Sequence, residues 1–92
     1  MKTDSEKVTF EILAERQRQI TSEGWEKHND DYEWGLGEMA QAAACYAYDH
    51  IERLPWPWGK EFDKRKKHPR RRQLVIAAAL LVAEIERIDR ST

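Results

Sequence analysis

Residues 69–89, PRRRQLVIAAALLVAEIERID, decide the fold. Pro69 suits the first turn of an α-helix, because its ring fixes φ and its missing N–H is not needed there. Leu74, Ala77, Ala78, Leu81, Ile85 and Ile88 recur at helical spacing as an apolar stripe, and Ala79, Leu80 and Val82 widen it. A helix apolar over so much of its circumference, in a chain of 92 residues, implies burial on two sides. One side faces the other helices of the chain, and the second faces another subunit.

Two more segments read as helices. The first runs from Ser5 to Glu23, with Phe10, Leu13, Gln17 and Ile20 at helical spacing, Val8 and Ile12 alongside, and Gly24 as the stop. Asp4 or Ser5 is the candidate N-cap, and the polar face carries Arg16, Gln17, Arg18 and Gln19 beside Glu11, Glu15 and Glu23. The second traces Leu36, Met39, Ala40, Ala43, Ala47, His50, Ile51 and Leu54 and ends before Pro55. Its opposite stripe, Glu38, Ala42, Cys45 and Asp49, reads as a solvated or helix-packing face. Between the two helices, Trp25 to Trp34 has no sustained period and reads as a loop pinned by aromatics. No alternating strand pattern appears. The expectation is an all-α bundle of three main helices, one domain over 1–92, with a long ordered Trp/Pro/basic loop and oligomerisation supplying missing core.

Composition narrows the functional classes. Apolar residues make up 40 % and charged residues 36 % of the chain, which is polar for a globular domain but outside the disordered regime. One cysteine, Cys45, excludes an internal disulfide and a four-thiolate zinc site, and suits a reducing cytoplasm. No apolar run reaches membrane-span length, so a cytoplasmic protein without membrane partners is expected. The net charge of −1 hides an asymmetry: residues 60–72 carry +6 and the rest of the chain −7.

That basic segment follows the prolines and tryptophans of LPWPWGKEF, residues 54–62. Arg70, Arg71 and Arg72 stand at a helix N-terminus, where the macrodipole disfavours cations by about 0.3–1 kcal/mol each. An anion is the natural compensator. A bound phosphate group or carboxylates from elsewhere in the chain would serve equally. Trp56, Trp58 and Trp25 offer flat surfaces for a base, and Lys64, Arg70, Arg71 and Arg72 offer cations for phosphates, so a small phosphate-bearing ligand is the expected partner. Lidding a small core is the alternative role for the tryptophans. An acidic majority and the lack of any nucleic-acid-binding motif argue against specific nucleic-acid binding.

Other chemistry is sparser. His28 with Asp30 and Asp31 lacks further ligands at convincing spacing, so a hydrogen-bonded loop histidine is the plainer reading. Cys45 has no base close in sequence. Glu84, at the edge of the apolar stripe, reads as a partly buried carboxylate for Arg16, Arg87 or a neighbouring subunit.

Three resemblances add to this. The words ERQRQITSEGW, HNDD, GEMAQAAACYA, WPW and LVAEIERIDR, read together, resemble a group of small phage- and prophage-encoded proteins with no agreed activity. The likeness spans Ile12 to Arg90. It implies a host-cytoplasmic, non-enzymatic binder, with an anti-defence sponge for nucleotide signals among the roles such proteins play. Glu86 with Asp89 makes an ExxD, and Glu38 opens the second helix, which is similar in part to MazG-like pyrophosphohydrolases; that resemblance implies Mg²⁺ held by Glu38, Glu86 and Asp89. Gln41 stands where a partner acid belongs, and Glu11 and Glu15 lie four apart, so the four-carboxylate cluster is incomplete. LAERQRQITSEGW and the later HP resemble the ryanodine-receptor repeat. The expectation is therefore a homo-oligomeric nucleotide binder with no cofactor, with a Mg²⁺-dependent pyrophosphohydrolase and a module docking on a host protein as alternatives.

Overall fold

A computed structural model describes residues 2–22, 37–48 and 55–91, the side chains of Ser22, Phe62 and Ser91 excepted. The Trp25–Trp34 loop, with Trp25, His28, Asp30 and Asp31, and residues 49–54 lie outside them. The described residues form three α-helices and no strand: α1 (Asp4–Ser22), α2 (Glu38–Ala47) and α3 (Arg70–Ser91). Two 3-10 turns, Lys60–Phe62 and Arg65–Lys67, lie between α2 and α3. The all-α class is as the sequence reads.

The starts and stops have local causes. Thr3, rather than Asp4 or Ser5, caps α1. Its hydroxyl accepts from the Glu6 N–H at 3.2 Å while Glu6 Oε1 accepts from the Thr3 N–H at 3.2 Å, a reciprocal capping box. Gly37 enters α2 at φ 92°, a backbone conformation that glycine adopts without steric cost. α2 ends sooner than its apolar spacing suggests: Tyr48 is extended, at φ −81° and ψ 141°. The Pro55 carbonyl lies against α2, accepting from Gln41 Nε2 at 2.7 Å and from Cys45 Sγ at 3.4 Å. Small side chains at Ala42 and Cys45 leave room for that backbone. Of their stripe, Ala42 and Cys45 are buried and Glu38 is half-buried, while Asp49 lies outside the described residues; Ala47 is exposed.

The core lies between α2 and α3. Ala42, Ala43 and Tyr46 meet Ile76, Ala77 and Leu80, and Trp56 and Trp58 pack against this cluster. Met39 and Leu80 are wholly buried. The inner face of α3 differs from the periodicity reading: Val75, Ile76, Ala79, Leu80 and Ala83 are buried, whereas Leu74, Leu81, Ile85 and Ile88 are 45 %, 48 %, 58 % and 46 % exposed. Both faces of this helix are apolar, so hydropathy alone does not orient it. On the inner face Ala77 stands beside Ile76 and Leu80 in the cluster with Ala42, Ala43 and Tyr46, and its small side chain permits close approach to α2.

α1 departs further. Phe10 and Leu13 are exposed, and its inner face carries Glu15, Arg16 and Gln19, all buried. Buried charge is tolerated only when paired and hydrogen-bonded. α3 supplies the partners.

Candidate functional site

Arg70, Arg71 and Arg72 leave the start of α3 in three directions. Arg70 Nη1 donates to the Tyr46 carbonyl at 3.2 Å, and its Nη2 donates to the Ala47 carbonyl. These are terminal acceptors of α2, at the negative end of its dipole, where a cation is favoured. Arg71 grips Glu11 on α1 with two parallel bonds of 2.8 and 2.7 Å. Arg72 donates to Glu15 on α1. One turn of α3 thus binds the end of α2 and the body of α1, and the local offence against the α3 dipole is compensated within the chain.

Around Glu15 the arrangement is dense. Arg18 donates to both of its oxygens, at 2.8 and 2.7 Å, and Gln19 Nε2 lies 3.4 Å away. Burial pushes this carboxyl up, but the Arg18 hydrogen bond and the charges of Arg18 and Arg72 outweigh burial, leaving it below the ordinary glutamate value. Glu11 is lowered chiefly by its hydrogen bond from Arg71. Further along, Arg16 Nε donates to Glu86 at 2.7 Å, and Arg87 pairs with Glu84 at 2.7 Å with both side chains largely buried.

The loop is organised on a residue the sequence reading passed over. Arg65 is 4 % exposed; its Nε and Nη2 clasp Asp63 at 2.8 and 2.6 Å, and its guanidinium lies 5.1 Å from the centre of the Trp56 ring. The Arg65 hydrogen bond holds the Asp63 carboxyl below its ordinary value. Gln73 ties this turn to α3, donating to the carbonyls of Arg65 at 2.8 Å and His68 at 3.2 Å. Trp56 also meets Tyr46 and Trp58 edge-on, at 5.8 and 5.4 Å between centroids, and its Nε1 donates to the Gly59 carbonyl at 3.2 Å. An Asp two residues before an Arg, inside a run of cations, was the available signal.

The expected site residues therefore divide. Trp56 and Trp58 are half-buried against the core, and Lys64 is half-buried in the same loop. Arg70, Arg71 and Arg72 are engaged with α1 and α2, and Trp25 lies outside the described residues. Among those residues no group of three or more His, Cys, Asp or Glu comes together, so Glu38, Glu86 and Asp89 do not form one. No described helix is long and apolar enough to cross a membrane. Cys45 is buried, and burial raises its thiol pKa, offset in part by the Arg65 charge.

Comparison of the chain with protein-family models, curated proteins and solved structures returns no match. Function must be argued from the molecule's own surfaces.

Proposed function

We propose that this protein acts by association rather than by catalysis, presenting the outer face of α3 to another polypeptide. The observation that carries this is the line of Leu74, Leu81, Ile85 and Ile88, each 45–58 % exposed, on a helix whose opposite face fills the core. Scattered exposed aliphatics are ordinary; four in register over about 21 Å of helix are a binding surface. The test is retention of polypeptide partners by immobilised wild-type chain and by Leu81→Glu. Retention by the wild type alone is expected, and equal retention by both contradicts the reading.

A second reading keeps a small phosphate-bearing molecule as ligand. It is favoured by the exposed Lys60, Lys66 and Lys67 around the Arg65–Trp56 stack. Aromatic surface beside several cations suits a nucleotide. Because Arg70–Arg72 hold the helices, the lysines would carry the phosphate contacts. Calorimetric titration with nucleotides and cyclic dinucleotides tests it: saturable binding weakened in Lys66→Ala/Lys67→Ala supports this reading, and no heat at tens of micromolar overturns it.

A further inference from the structure

Resting on the association reading, we propose that the occupant of the outer face of α3 is a second copy of this chain, paired antiparallel.

The spacing itself points to a helix partner. Positions 74, 78, 81, 85 and 88 alternate in steps of four and three, the d-a-d-a-d seam of a two-helix coiled coil. The buried residues Ile76, Leu80 and Ala83 fall at positions facing away from this seam, so one helix serves the chain's own core and a second surface at once.

Self-pairing is favoured because the seam contains its own complement. Setting Leu74 against Ile85 of the partner subunit brings Ala78 opposite Leu81 of the partner subunit, a small residue facing a large one. The next seam position toward the N-terminus is Arg71, whose side chain is 65 % exposed. In this register it meets Ile88 of the partner subunit with Asp89 beside it. A parallel pairing sets every residue against itself. It would face Ala78 with Ala78, leaving a gap. The exposed charges agree: Lys66 and Lys67 lie just before the start of α3, and Asp89 lies near its end. The two-fold arrangement places positive start against negative end twice and closes as a dimer. Four apolar layers, flanked at each end by an Arg71–Ile88 layer, make a small interface, so dissociation in roughly the micromolar range is expected.

Sedimentation equilibrium of the whole chain measures this directly. The wild type should approach twice the chain mass as concentration rises to about 0.5 mM, far above the dissociation constant of a specific small interface. Leu81→Glu should remain monomeric with an unchanged helical circular-dichroism spectrum. For orientation, Leu74→Cys and Ile85→Cys are each made in a Cys45→Ala background and oxidised singly and as a mixture. A mixed disulfide dimer is expected in large excess over either self-linked one. A wild type that stays monomeric, a dimer that survives Leu81→Glu, or preferential Leu74→Cys self-linkage overturns the proposal. A monomeric wild type that still retains a foreign polypeptide through the stripe overturns the second copy alone and leaves the association reading standing.

Discussion

Arg72 stands at the positive end of the α3 dipole and points at a carboxylate, Glu15, whose side chain is fully buried. Removing the arginine leaves Glu15 with Arg18 and Gln19 only. Arg72→Leu should cost about 2 kcal/mol by urea denaturation, less than a buried charge stripped of every partner. Arg71→Ala should cost little, since the Arg71–Glu11 pair stands in water on the same turn. The lowered carboxylates make a further test in pH. Glu11, Glu15 and Asp63 all titrate below their ordinary values of 4.5, 4.5 and 3.8, so the unfolded chain takes up protons first as pH falls. Their stabilisation is complete above those values and is lost as pH drops through the lowered folded ones. Urea midpoints should hold from pH 7 to about 5 and decline below about 4.5, and less so in Glu15→Gln. A flat profile to pH 3 would contradict this.

At the scale of the element, the helices were legible and their facing was not. Apolar spacing placed α1 and α3 within a residue or two of their described ends, and Pro69 is a local signal for the start of α3; the Thr3–Glu6 box at the start of α1 was local too, but Asp4 and Ser5 were read as the cap in its place. Orientation depends on which side chains permit close approach and where buried charges find partners, and both are properties of pairs of helices. Thus Phe10 and Leu13 lie outward while Glu15 and Gln19 lie inward, and the Leu81 stripe faces solvent while Leu80 is wholly buried. The candidate site was legible in the same partial way. Three arginines against a dipole announced a counter-charge, and carboxylates were one of the two stated possibilities; that they belong to α1 required the tertiary structure. Asp63 and Arg65 were hidden by the surrounding cations. Truncations separate the two faces of α3. Leu80→Ala should lose about 2–5 kcal/mol, whereas Leu81→Ala should lose well under half of that in the monomer. Equal losses would mean that the facing of α3 is wrong.

For the whole molecule, a chain of this length reaches a folded state by joining a thin alanine-lined core to a polar junction of three arginines. The Pro55–Trp58 segment closes one side of that core. Cys45, beneath it, should react with a thiol reagent only as the segment opens, so its labelling at neutral pH should be slow in native protein and fast in urea. The outer face of α3 carries Leu74, Leu81, Ile85 and Ile88, all exposed. All of this depends on the arginines of residues 70–72 being spent within the chain, and the double-mutant cycle of Arg72→Gln and Glu15→Gln measures that most directly. Urea denaturation of the wild type, both single variants and the double variant should give a coupling energy of about 1–3 kcal/mol. Single losses below about 0.5 kcal/mol with no coupling would contradict the account and return Arg72 to the surface as a cation for a ligand.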